Sequence, residues 1–286
     1  MGDFQVKLPE GDVKKALSGN FTNTIMVKEV CPMMRKMFLF LLLLPLLFTG
    51  RFAQAHWLWL NIDDDQPKIG QAVQIEIGWG HKFPKDEVIK EGFLNQVYAR
   101  DSRGARIPLK QISPTEFEFV PTAQGTYMIL GDIHPGFLSK TTEGYKLKPK
   151  KGLENVVSCF RYDIRAKAIV NAENREKMPD QRVGHPLEII PLRNPKHLKK
   201  GEIFPVKVIY GGKALPSVDV RATYAGFSDQ PNTFALSTMT DNEGVARIKI
   251  SKRGKWLVNV MHEVPYPDID ECDKYRYTYS FTFAVH

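Results

Sequence analysis

Long apolar stretches are scarce in this 286-residue chain: the longest, Met37 to Phe48, is about a dozen residues against the ~20 that a bilayer-spanning helix needs. Cysteine is scarce too. There are three, none in Cys-x-x-Cys spacing, which excludes a zinc ribbon. Gly-x-Ser-x-Gly, a P-loop and Gly-x-Gly-x-x-Gly are all missing, so no serine-hydrolase elbow and no nucleotide cradle is encoded. No two histidines stand in His-x-His or His-x-x-x-His spacing, so any histidine metal site must be assembled by the fold. Amphipathic helices of any length are lacking. Lys and Arg exceed Asp and Glu by 40 to 32, but the excess is scattered. Its densest runs, Lys146 to Lys151 and Lys196 to Lys200, read as solvated loops. Nothing resembles a nucleic-acid module, and no nucleic-acid partner is expected.

What is present begins with a leader. Arg35 and Lys36 precede the apolar run, and Ala53-Gln54-Ala55 follows it with small residues around a larger one. That is the grammar of a cleaved signal peptide over residues 34–55, with residues 1–33 an upstream extension or a misplaced start. Cleavage would leave 231 residues carrying 33 basic and 28 acidic side chains, and would place the protein in the periplasm or outside the cell. It would also make His56 the first residue, offering a metal its free amine and its ring together. Cys159 and Cys272 would be the remaining cysteines, either a disulfide or two separate thiols.

Alternating strands and turns fill the rest. Ala72 to Trp79 alternates apolar and polar at period two, as a half-buried strand does. Further strands are predicted at 117–120, 126–131, 156–164 and 166–170. Asn171 to Gly184 is polar without periodicity and reads as a linker. After it come 203–210, 218–224, 234–238, 245–250, 255–261 and 275–285, separated by turns such as Gly211-Gly212 and Asp241-Asn242-Glu243-Gly244. This predicts an all-β protein of two immunoglobulin-like or transthyretin-like β-sandwich domains, 56–180 and 181–286. Trp57, Trp59, Trp79 and Trp256 are predicted to fill their interiors.

Four of the seven histidines occupy notable places. His56 is the prospective terminus. His81, His134 and His262 each end a predicted strand, where sandwich loops gather and sites form. Imidazole suits nickel, cobalt, copper and zinc. A histidine at a strand end is equally at home as a turn residue. The acidic groups Asp63 to Asp65 and Asp268 to Asp273 lack the spacing of a calcium loop and read as loop or electrostatic features.

Several segments carry a resemblance. They are His56-Trp57-Leu58, Gly80-His81-Lys82-Phe83-Pro84, His134-Pro135-Gly136-Phe137-Leu138, Pro186 to Leu192, Gly212 to Pro216, Thr240-Asp241-Asn242-Glu243-Gly244 and Gly254-Lys255-Trp256. Together they resemble a periplasmic domain-of-unknown-function family associated with nickel and cobalt uptake. The C-terminal half also resembles transthyretin-like and carboxypeptidase-regulatory sandwiches. The resemblance implies a non-catalytic periplasmic protein that binds Ni2+ or Co2+, with Cu2+ and Zn2+ as alternatives, and serves a membrane metal transporter. It maps His56, His81 and His134 as candidate ligands, and the strand-end argument adds His262. Two rival expectations stand beside it. One is a copper enzyme with a histidine brace, which requires a second histidine beside His56 and an open aromatic face. The other is an adhesive or structural sandwich whose histidines are incidental.

Overall fold

The structure, a computed structural model, describes residues 56–173 and 181–286. The segments predicted as an upstream extension and a leader, and part of the predicted linker, lie outside those residues. Eighteen strands are described. In the first half they are β1 (Trp57–Ile62), β2 (Val73–Gly80), β3 (Leu94–Arg100), β4 (Arg106–Pro108), β5 (Lys110–Ser113), β6 (Glu116–Phe119), β7 (Gly125–Ile133), β8 (Gly136–Thr141), β9 (Gly144–Lys146) and β10 (Val156–Ala172). The second half holds β11 (Leu187–Pro191), β12 (Ile203–Tyr210), β13 (Lys213–Ala214), β14 (Asp219–Tyr224), β15 (Leu236–Met239), β16 (Val245–Lys249), β17 (Gly254–Pro265) and β18 (Lys274–Val285). Pro195–His197 forms a short 3-10 turn. The all-β sandwich architecture is as the alternation predicted.

One ten-stranded sheet runs through both halves, in the order β15-β14-β17-β18-β10-β7-β3-β4, with β8 and β9 added beside β10. Its two halves join where β10 and β18 pair in parallel, Phe160 opposite Lys274 through Ala168 opposite Thr282. Two four-stranded sheets cover it. Side-chain alternation shows that they cover opposite faces. Ala166, Ala168 and Val170 of β10 point into a core with Leu58, Leu60, Ile75, Ile77 and Phe119 of the β1-β2-β6-β5 sheet. Ile169, Tyr279, Phe281 and Phe283 point the other way, into a core with Ile189, Phe204, Val206, Val208 and Ile248 of the β11-β12-β13 and β16 sheet. Trp256 lies fully buried in this second core.

Strand β1 is the exception to alternation. Trp57, Leu58, Trp59 and Leu60 are all buried, so both of its faces are covered, as its unbroken apolar run suggests. Leu58 and Leu60 join the first core, while Trp57 and Trp59 pack with Phe83 and with Leu257 from the second half. Each such side chain stabilises the fold by roughly 1.5–3 kcal/mol through burial. The Thr282 hydroxyl donates to the Leu60 carbonyl at 2.8 Å, fixing β1 against β18. Cys159 and Cys272 form a disulfide that closes a separation of 113 residues.

The polar segment read as a linker starts later than its composition suggests. Strand β10 continues through Asn171 and Ala172, because Asn171 finds partners inside: its side-chain oxygen accepts from the Thr126 hydroxyl at 3.1 Å and from Asn194 Nδ2 at 3.0 Å. Beyond it, Glu188 is buried and accepts backbone N–H groups of Val183, Gly184 and His185. Lys167, with no exposed surface, donates to the Gln181 carbonyl at 2.9 Å.

Candidate metal centre

The antiparallel ladder between β1 and β2 places the site. Trp57 pairs with Gly80 and Leu58 with Trp79. Extending that register by one step sets His56 opposite His81, on the face that carries Leu58 and Trp79, so the two imidazoles are cross-strand neighbours. Their ring centroids are 4.2 Å apart. His56 also stacks on Trp79, at 5.0 Å with the planes only 5° from parallel.

A third member arrives from the loop after β2. Gly80 adopts φ +129°, and a Cβ there would fall 2.4 Å from Asp86 Oδ2, a close approach that only glycine permits. The same Asp86 oxygen accepts the His81 backbone N–H at 2.7 Å, curling the loop back. Glu87 then bridges to Trp79, its N–H donating to the Trp79 carbonyl at 3.0 Å. This puts Glu87 Oε2 3.2 Å from His56 Nε2. The loop is held from beneath. The Phe83–Pro84 peptide is cis, and the Pro84 carbonyl accepts from Trp59 Nε1 and from Asn61 Nδ2, both at 3.0 Å. Trp59 lies flat over Gly78, where a Cβ would come within 1.9 Å of the indole nitrogen. From the second half, the Asn232 N–H donates to the His81 carbonyl at 2.7 Å.

Among the described residues, His56, His81 and Glu87 are the one group of three or more histidines, cysteines or carboxylates whose donor atoms gather, all within 4.8 Å of one another. At metal–ligand bonds of about 2.1 Å, tetrahedral ligands on one ion stand ~3.4 Å apart. The widest separation in the group therefore needs to close by roughly 1.4 Å, a movement within reach of the exposed Glu87 side chain. Burial and the neighbouring His81 charge lower the pKa of His56, against the opposing pull of Glu87 and Asp86. A lowered pKa keeps the imidazole neutral, the form that binds metal.

The structure brings together two of the four predicted histidines. His134 is exposed just past β7, its N–H donating to the Phe93 carbonyl at 2.9 Å, and it is not part of the group. His262 sits in β17 opposite Tyr277, its ring edge-on to Tyr210 at 4.8 Å, and is not part of it either. Burial lowers its pKa. Glu87 was missed by sequence reasoning, because its approach depends on the loop's path and no spacing announces it. Asp63 and Asp64 cap the turn after β1 by accepting N–H groups of Asp64, Gln66 and Gln74. Asp273 accepts from Lys150 and from the Cys159 N–H. No described helix is long and apolar enough to cross a membrane.

A family model described as a domain of unknown function, DUF4198, matches residues 53–264. No curated protein matches the chain. Among solved structures, the chain is similar to the fibronectin(III)-like modules of Clostridium thermocellum CbhA, at 11% identity over 79% of this chain and 93% of that one, TM-score 0.20. It is also similar to the D00-D0 domain of intimin, at 13% identity over 78% and 98%, TM-score 0.21. A third likeness is to three N-terminal domains of the bacteriophage RB49 outer capsid protein Hoc, at 8% identity over 79% and 59%, TM-score 0.21. Scores this low bear on no residue of the site.

Proposed function

The chain belongs to the DUF4198 family of domains of unknown function, and from that premise we propose that it is an exported, non-catalytic protein that binds a divalent transition metal and serves a membrane metal importer. The observation that carries the reading is the pairing of His56 and His81 at 4.2 Å with Glu87 beside them. Two imidazoles and a carboxylate suit the borderline metals. Cleavage ahead of His56 would add its amine as a further nitrogen. The cargo named is Ni2+ or Co2+, on the strength of the residues that resemble a nickel and cobalt uptake family. The donor set itself ranks Cu2+ above both, so selectivity would come from geometry and supply.

Calorimetry with Ni2+, Co2+, Cu2+ and Zn2+ on protein beginning at His56 tests this. Expected is binding tighter than ~10 μM, weakened at least about tenfold by His81→Ala and untouched by His134→Ala or His262→Ala. Coordination beside Trp79 should also quench its fluorescence. Failure of all four metals to reach ~10 μM ends the proposal.

The histidine pair also meets one demand of a copper histidine brace. The other demand, an open aromatic face, finds no tryptophan at the site to supply it: Trp57, Trp59 and Trp79 are 5%, 0% and 8% exposed. Copper-dependent oxidation of a polysaccharide by the processed protein would reverse this preference.

A further inference from the structure

The ten-stranded sheet outruns its second cover. On the face that packs against β12, the row Val260–Tyr279 is buried, and the next row, His262–Tyr277, is half-buried against Tyr210 at the end of β12. One step further, Tyr275 stands opposite Arg161 of β10, and Arg161 opposite Phe137 of β8. All three are partly exposed. Tyr266, from the turn after β17, closes the row. The result is a continuous line of rings. Phe137 to Tyr266 is 5.7 Å, Tyr266 to Tyr275 4.7 Å, Tyr275 to Tyr277 5.8 Å and Tyr277 to Tyr210 5.3 Å. Tyr275 and Tyr277 are within 22° of parallel.

Charge on this line is specific. The Arg161 guanidinium lies 5.9 Å from the Phe137 ring and 5.6 Å from that of Tyr275. The carboxylates around it have other partners: Asp163 with Arg165, Glu263 with Lys274 and Arg276, Asp273 with Lys150, and Glu271, the one at the strip's own edge, accepting from the Tyr266 hydroxyl at 2.9 Å. Arg161 has no ion pair among the described residues, so a single cation is left over a row of aromatic faces.

We propose that this strip binds an acidic polysaccharide, with a uronate carboxylate on Arg161 and sugar rings on Tyr275, Tyr277 and Phe137. The C–H face of a pyranose suits an aromatic ring, as its hydroxyls suit phenol and imidazole edges. A planar guanidinium pairs a carboxylate through two hydrogen bonds. Single-stranded nucleic acid also stacks on rings, but it needs a groove of cations tracking its phosphates. An anionic membrane likewise calls for several. One unpaired arginine fits a sparsely charged chain better than either.

Affinity electrophoresis and calorimetry with hexagalacturonate, in EDTA so that the metal centre plays no part, decide the matter. Expected is binding below ~1 mM that weakens with salt, at least about tenfold tighter than for neutral cellohexaose. Arg161→Gln should abolish that preference and Tyr266→Ala should weaken binding of both glycans, each variant keeping the parent melting temperature, while His81→Ala changes nothing. No binding at ~1 mM, an undiminished response in Arg161→Gln, or tighter binding of single-stranded DNA or phosphatidylglycerol vesicles at the same residues would overturn the proposal.

Discussion

The two covering sheets do the same mechanical task in different ways. The β11-β12-β16 cover packs by plain alternation, with Phe204, Val206 and Val208 inward and Pro205 and Lys207 between them less buried. The β1-β2 cover ends in a strand buried on both faces, tied by Trp59 to the loop that carries Glu87. Where alternation suffices, a sheet closes a core and nothing more. Where an edge strand is gripped from both sides, its end becomes a rigid mount, and the candidate metal centre sits at that end.

The largest expected effect lies outside this contrast, on the seam both covers share. Replacing Cys159 and Cys272 by alanine frees a separation of 113 residues, and loops of that size cost about 2–5 kcal/mol when a native bridge is lost. Thermal melting should show that drop with metal binding intact below the transition. A selective loss of metal binding instead would mean the seam and the centre are coupled.

Next in size is His185. Burial foremost, with the charges of Arg165, Lys167 and Arg100, pushes its pKa down to about 3, while the unfolded value is near 6.5. The unfolded chain therefore takes up a proton first as pH falls. Stability present above pH 6.5 is progressively lost toward pH 3, by up to several kcal/mol. His185→Gln should flatten that acid limb of a urea-melt series, and an unchanged slope would refute the assignment.

Smaller, and aimed at the contrast itself, is a pair of glycines. Gly78→Ala drives a methyl into Trp59, whereas Gly131→Ala meets Leu60 Cδ2 at 3.3 Å, a side chain able to yield. Overpacking of the first kind costs about 1–3 kcal/mol and should loosen the Pro84 carbonyl and with it metal affinity. Gly131→Ala should cost less and leave affinity alone. Equal effects on affinity would show that the mount is not what holds the centre.

Much of this was legible in the residues, for local reasons. The Ala72 to Trp79 alternation became β2, and the strands of the second half fell close to their predicted places. His56 and His81 could be suspected from their positions, since the register of one hairpin-like ladder brings them together. What escaped depended on distant partners. Strand β10 looked like two segments because Arg165 interrupts its apolar run; in the fold Arg165 binds Asp163 at 2.6 Å and stands opposite Asp132. Strand β3 was hidden by Asn95 and Gln96, whose side chains both donate to buried Asp132 across a bulge. The parallel pairing of β10 with β18 leaves no trace in either segment alone.

That pairing has a consequence for how the protein can be made. Until residues 274–285 are in place, one rim of β10 is an open template of amide and carbonyl groups along nine paired positions, the kind of surface that recruits strands from other chains. A nascent first half is therefore a sticky intermediate rather than a finished unit, and delaying its collapse until the final strand is available would be to the molecule's advantage.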